Sequence, residues 1–140
     1  MNDEKVINYI LNNYAVIKKT FNKEQVRKFW TVYKDKNIVI SEENKIKGIG
    51  IYLRLDDETF NLVRLKEIFL NNPETLNFCA CQNGQNIHFI MVIADNTKTI
   101  LKGLRQIFKM ENIKTISWFS PNMKQFFMRK KERILCHQPL

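Results

Sequence analysis

Asn86-Ile87-His88-Phe89-Ile90-Met91-Val92-Ile93-Ala94, then Asp95-Asn96-Thr97-Lys98-Thr99, a run from Ile100 to Met110, and Ile113-Lys114-Thr115-Ile116-Ser117-Trp118-Phe119 together decide the fold. The first segment is an almost unbroken apolar run of strand length, rich in branched and aromatic residues, the pattern of a strand covered on both faces. The middle segment places Ile100, Leu101, Leu104, Ile107 and Phe108 at helical spacing, with Lys98, Lys102, Arg105 and Lys109 around them, after an Asp/Asn/Thr group suited to capping. The third is strand-like and stops at Ser120-Pro121. Strand, helix and strand in this space predict a βαβ crossover with two parallel strands.

Working back from the crossover, Asp3 to Lys18 keeps an approximate helical period through Val6, Ile10, Tyr14 and Ile17. Asn22 is placed to cap a second helix, with Gln25 three residues on and Phe21 facing Val26 across the cap, and Trp30 and Tyr33 extend the buried side. Asn37 to Ser41 reads as a short strand, Glu42 to Lys45 as a polar turn, and Ile46 to Leu55 as the antiparallel return. In that return Gly48 and Gly50 bare one face, which marks either a β-bulge or a place where another chain or a ligand approaches. Asp56-Asp57 opens a helix predicted to reach Leu70, with Leu62, Leu65 and Ile68 or Phe69 inward and Asn71-Asn72-Pro73 ending it. Leu76 to Cys81 and the strand from Gln85 flank Asn83-Gly84, a hairpin signal because both turn residues need positive φ.

Beyond the crossover, Ser120-Pro121 reads as a cap with proline at the first helical position, predicting a helix from Pro121 to Lys131. A short strand from Arg133 to His137 is predicted to close the chain. No repeat, linker or low-complexity stretch intervenes, so a single domain over residues 1–140 is expected.

With 44% apolar and 11% aromatic residues the chain is neither disordered nor fibrous. It has no apolar run of membrane-spanning length, and Met1-Asn2-Asp3-Glu4-Lys5 lacks the features of a signal peptide, so a cytoplasmic protein with no membrane partner is expected. Cys79 and Cys81 alternate within the predicted strand and face one side of it, where they are poorly placed to bridge each other and read as reduced thiols. A Cys-x-Cys metal pair would need further ligands, which only Cys136 and His137 offer; no metal is expected.

The net charge of +9 is unevenly placed. Up to Thr97 the chain has 13 basic and 12 acidic residues, and from Lys98 onward 10 and 2. That asymmetry fits either an anionic partner or a solvated basic face. Lys124, Arg129, Lys130, Lys131 and Arg133, with Phe126, Phe127 and Trp118 nearby, mix charge with rings that serve either to stack nucleic-acid bases or to pack the core.

In an open α/β sheet ligands collect beyond the carboxyl ends of parallel strands, which here is the junction from Ala94 to Thr99. Free amides at a helix start suit a phosphate, and Lys98 adds charge, although Asp95, Asn96 and Thr97 also suit an ordinary cap and Asp95 would repel an anion. No catalytic constellation is visible: there is no paired-carboxylate signal and no glycine-rich phosphate loop. His88, among apolar neighbours, reads as a core histidine rather than a base.

This order of elements resembles the fold of the GNAT family of N-acetyltransferases. The resemblance implies a mixed α/β (α+β) central sheet, antiparallel hairpins followed by the βαβ crossover, and helices on both faces. Ile38 to Tyr52 is similar to the family's strand, polar turn and return strand with its glycine. Ile87 to Phe108 matches the strand and helix that hold the acyl-CoA pyrophosphate, and Lys114 to Phe119 the strand that splays away to admit the pantetheine arm. The resemblance therefore implies acyl transfer from acetyl-CoA to an amine acceptor, with Val92, Ile93, Ala94, Asn96, Thr97, Lys98, Thr99 and Asn122 as cofactor-binding residues and no catalytic residue assigned. Ser117 to Asn122 is also similar to acetyltransferase-like proteins of phages and prophages, implying a bacterial or phage-infected host cell. Two departures stand out. The family's Arg/Gln-x-x-Gly-x-Gly/Ala signature is replaced by Asp95-Asn96-Thr97-Lys98-Thr99, with no glycine before Gly103. Seven residues after Asn122, where the family often has a tyrosine that protonates the CoA thiolate, stands Arg129. A non-catalytic module on the same scaffold, meeting nucleic acid or an acidic protein through the basic last third, is the other reading.

Overall fold

The computed structural model describes residues 2–14 and 22–131. In chain order they form α1 (Asp3–Asn13), α2 (Lys23–Val32), β1 (Asn37–Glu42), β2 (Lys45–Leu55), α3 (Asp57–Arg64), α4 (Pro73–Ala80), β3 (Asn86–Ala94), α5 (Thr97–Phe108), β4 (Thr115–Phe119) and β5 (Phe126–Lys130). The fold is mixed α+β, with one five-stranded sheet in the order β1-β2-β3-β4-β5. β1 and β2 are antiparallel, β3 and β4 parallel, and β4 and β5 antiparallel. The expected crossover from β3 through α5 to β4 is therefore present. Two compact units divide the chain, one made of residues 1–51 and 91–105, the other of 52–90 and 106–140.

In the first unit Asn2 caps α1, and Val6, Ile7 and Ile10 of that helix are fully buried. Asn22 and Gln25 form the predicted capping box at α2, each side chain taking the other's backbone amide. The two helices are joined by polar contacts: Trp30 Nε1 donates to Asp3 Oδ1 at 3.2 Å, and Lys23 and Arg27 both pair with Glu4. The predicted continuation of α1 to Lys18 and the contact of Phe21 with Val26 fall outside the described residues. In the β1–β2 hairpin Glu43 and Asn44 take positive φ, and the register slips once, Ile40 facing Gly48 and Ser41 facing Ile46. Lys47 is the extra residue, so the predicted bulge lies beside Gly48.

The first unit also contains the start of α5, and here the inward face differs from the prediction. Ile100 and Leu101 are 40% and 48% exposed, whereas Thr99 and Gly103 are buried. A β-carbon on Gly48 would stand 2.7 Å from Thr99 Cγ2, and one on Gly103 would stand 3.9 Å from Ile40 Cγ1. The helix lies so close to the strands that small residues line its inner side, and a search for apolar spacing overlooks them. The same closeness answers the question of Gly48 and Gly50. Residues 48–53 are all buried, so that run offers no open face to a ligand.

The second unit departs more often. α3 ends at Arg64 rather than Leu70, with Leu65 as its C-cap. Lys66 takes a left-handed φ of 58°, its amide donating to Val63 O at 3.0 Å and that of Glu67 to Leu62 O at 2.9 Å, a Schellman closure without glycine. Thr59, Phe60 and Val63 make the inner face, and Leu65 and Phe69, expected inward, are 57% and 59% exposed. The segment Leu76 to Cys81 is helical, not extended: Asn72 caps α4 through the amides of Glu74 and Thr75, and Pro73 is in its first turn. Cys79 is consequently buried and Cys81 exposed, rather than both on one strand face.

The Asn83-Gly84 hairpin is absent as well. Neither residue has positive φ, and Asn83 instead makes a lone bridge to Arg54. Gly84 is required for another reason: a β-carbon there would collide with the backbone of Leu55 and Asp56. The helix predicted from Pro121 is replaced by a tight loop and β5. Ser120 organises the loop, its amide donating to Gln125 O at 2.8 Å and its hydroxyl accepting from the Gln125 amide at 3.0 Å, with Met123 at φ 62°. The strand predicted over Arg133 to His137, with Cys136, lies outside the described residues. None of the helices described is long and apolar enough to cross a membrane.

Candidate functional site

β3 is buried at Asn86, Ile87, His88 and Phe89, as expected of a strand covered on both sides. Past that point burial alternates, and Val92 is 46% exposed.

In the second unit the parallel ladder of β3 with β4 consists of three pairs, Asn86 with Thr115, Ile87 with Ile116, and His88 with Ser117. Both strands run on beyond it. Trp118 and Phe119 keep their pairing to Phe127 and Phe126 of β5, but make no ladder with Phe89 or Ile90. The parallel ladder ends at the His88 and Ser117 pair.

So short a ladder is reinforced by side chains. Asn86, 1% exposed, donates to the Leu55 carbonyl at 3.1 Å and to Asp57 Oδ1 at 2.8 Å, and accepts from Thr115 Oγ1 at 2.8 Å. Lys114 pairs with Asp57 at 3.0 Å, and the Asn86 and Lys114 contacts hold the Asp57 carboxyl below the usual carboxylate range. His88 Nδ1 and Ser117 Oγ lie 2.8 Å apart, fully inside. The imidazole stacks on Phe126 and meets Phe119 edge-on, and its burial pushes its pKa down to about 4. A neutral ring enclosed in this way is a core histidine, as its sequence setting suggests. Burial, with Asp56 nearby, pushes the Cys79 thiol up, away from thiolate chemistry. Tyr52 sits edge-on to Phe89, and its hydroxyl is raised by burial as well.

In the first unit lies the turn from β3 into α5. Asn96 is the capping residue: its Oδ1 accepts from the Thr99 amide at 2.9 Å and from Thr99 Oγ1 at 3.1 Å. The Thr99 amide is thereby committed to the cap, while those of Thr97 and Lys98 have no acceptor among the described residues. Both residues are exposed, whereas Ile93 is buried and Ala94 half-buried. Asp95, expected to repel an anion, is engaged elsewhere. Its carboxylate accepts from the Tyr9 hydroxyl at 3.0 Å and lies 3.8 Å from Lys47 Nζ, and its amide donates to the Lys47 carbonyl at 2.9 Å. The bulge turns that carbonyl aside, where the Tyr9 hydroxyl also reaches it at 3.1 Å. Burial and the adjacent Asp95 raise the Tyr9 hydroxyl to about 12. Tyr9 was missed in the sequence: it lies on a helix 86 residues from Asp95, and no local pattern relates the two.

Asn122, placed by resemblance in a helix, sits in the β4–β5 loop, where Oδ1 accepts from Ser120 Oγ at 2.6 Å and the Lys124 amide at 3.0 Å. The helical spacing that would relate it to Arg129 does not exist. Among the described residues no group of three or more His, Cys, Asp or Glu side chains could hold a metal ion.

No family model matches the chain, and no curated protein does. It is similar to two solved structures of GNAT-like proteins. One is the GphF GNAT-like decarboxylase in complex with isobutyryl-CoA, at TM-score 0.48 and 11% identity over 69% of this chain and 50% of that one. The other is the loading GNATL domain of CurA from Lyngbya majuscula, at TM-score 0.48 and 10% identity over 71% of this chain and 50% of that one. The chain thus spans about half the length of either structure.

Proposed function

We propose that the chain binds an acyl-CoA, with acetyl-CoA as the first ligand to test, and passes its acyl group to an amine. The observation that carries the reading is the end of the β3–β4 ladder at the His88 and Ser117 pair, with both strands running on. Backbone groups of Phe89, Ile90, Trp118 and Phe119 that a continued ladder would have consumed are left for the amides of a pantetheine arm, which is itself a short peptide-like chain. The first unit, taken by itself, offers a seat that suits an anion. The amides of Thr97 and Lys98 stand at the positive end of α5, and Asp95 is drawn toward Tyr9 and Lys47.

The reaction asks little of the side chains. An acceptor amine that arrives deprotonated attacks the thioester carbonyl, the C–N bond forms and the C–S bond breaks, the nitrogen gives up its extra proton to solvent, and the CoA thiolate takes one from solvent. Positioning supplies most of the acceleration. His88 is assigned no part in this, since it is 1% exposed and held against Ser117.

Calorimetric titration of the chain with acetyl-CoA and with CoA tests the reading. Measurable heat with both is expected, weakened by Lys98→Glu. The absence of heat at millimolar ligand removes the proposal.

A further inference from the structure

The β4–β5 hairpin sorts its rings in a way that the acyl-CoA reading does not use. Phe126 faces the core, against Phe60, His88 and Phe119. Phe127 points to the opposite side, where it is 38% exposed and stacks on Trp118 with centroids 5.6 Å apart and planes inclined by 22°. Arg129 follows two residues later on that same side of the strand, roughly 7 Å along it, and is exposed. Lys124 in the loop is exposed as well, and Lys130, exposed at the strand end, alternates to the side of Phe126. No acidic residue occurs between Asn112 and Lys131. Two neighbouring lysines are already committed, Lys114 to Asp57 and Lys131 to the Met110 carbonyl at 3.1 Å, whereas Lys124, Arg129 and Lys130 make no ion pair among the described residues.

We propose that the face carrying Trp118, Phe127 and Arg129 binds single-stranded nucleic acid, a base stacking on the open side of the Phe127 ring and the phosphates meeting Arg129 and Lys124. The stacked ring decides between anionic partners. An acidic peptide would use the two charges but leave the ring face uncovered, whereas every nucleobase has a flat π-surface to lay on it. A duplex hides those surfaces, so single strands are preferred.

Fluorescence anisotropy of the full chain with labelled oligo-dT and oligo-U of about 20 nucleotides tests this. Binding at ~50 mM salt is expected, with log K falling against log salt at a slope of about −1.4 for two phosphate contacts. Phe127→Ala weakens binding by about 5- to 150-fold and leaves the slope alone, while Phe127→Tyr restores it. The Lys124→Gln, Arg129→Gln double variant flattens the slope by about 1.4. Three results overturn the proposal: no binding at low salt, polyglutamate displacing the oligonucleotide as well as unlabelled oligo-dT does, or a folded Phe127→Ala chain that binds as the parent does. Should Phe127→Ala fail to fold, Trp118 emission in the parent decides. Quenching by oligonucleotide upholds the stack, and unchanged emission overturns it.

Discussion

Replacing Gly48 with alanine probes the closest approach in the first unit. The new methyl would stand 2.7 Å from Thr99 Cγ2, 3.3 Å from the Ile93 carbonyl oxygen and 3.4 Å from Ala94 Cβ. The 3.4 Å contact is ordinary and the 3.3 Å one is tight, but the first cannot stand without something shifting. Thr99 has no easy escape, because it is 6% exposed and its hydroxyl is tied to Asn96 Oδ1 at 3.1 Å. Rotating it away breaks part of the α5 cap, and leaving it in place pushes the helix from the strand. Overpacking of this kind costs about 1–3 kcal/mol, of which the better strand propensity of alanine returns up to about 1 kcal/mol. A net loss of about 1–2 kcal/mol is expected for Gly48→Ala. Thr99→Ser removes the offending methyl and keeps the hydroxyl, at a cost of about 0.8 kcal/mol for one buried carbon. The double variant should then be no less stable than Thr99→Ser alone, a coupling of about 1–2 kcal/mol. Urea unfolding of the four chains measures it. If Gly48→Ala costs as much in the Thr99→Ser background as in the parent, the clash is not the cause and the close docking of α5 is wrong.

The other consequences fall in the second unit. Gly84→Ala sets a β-carbon against the Leu55 and Asp56 backbone, which cannot step aside as a flexible side chain would. It should lose about 3 kcal/mol or more, seen as a lowered urea midpoint, and a chain of parental stability would contradict the approach described. His88 makes stability depend on pH. Its folded pKa of about 4 lies below the ordinary 6.5, so between these values the unfolded chain holds the extra proton. Its contribution is complete above about pH 6.5 and falls by about 1.4 kcal/mol per unit as the pH drops toward 4. From about pH 7.5 to 5 the parent should lose about 2 kcal/mol more than His88→Gln, and equal losses would mean that the imidazole is not held neutral by the core.

Signals confined to a few adjacent residues were readable where one physical cause stood behind them. Asn22 and Gln25 satisfy each other's amides, so their spacing predicts a helix start directly. The β3–α5–β4 run was readable because its periods are long and distinct. Other signals have two causes that local sequence does not separate. Asn72-Pro73 suits the end of one helix and the start of the next, and the structure uses it as a start. Glycine at position 84 can mean positive φ or lack of room, and room is what matters there. Ser120-Pro121 is a fair helix cap in isolation, but the five residues of Phe126–Lys130 pair along β4 instead. Of the candidate site, the strand end and helix start were legible. Tyr9 was not, since a contact across 86 residues leaves no mark in local sequence.

The Asn86 knot has a bearing on how freely this chain can vary. The groups that fasten β3 to β4, Asn86 with Thr115 and His88 with Ser117, all sit at the front of the strand. None of them belongs to the turn from Asp95 to Thr99. Change in that turn leaves the bonds that fasten β3 to β4 untouched. The pairing of the two strands is insulated from whatever the turn beyond them becomes.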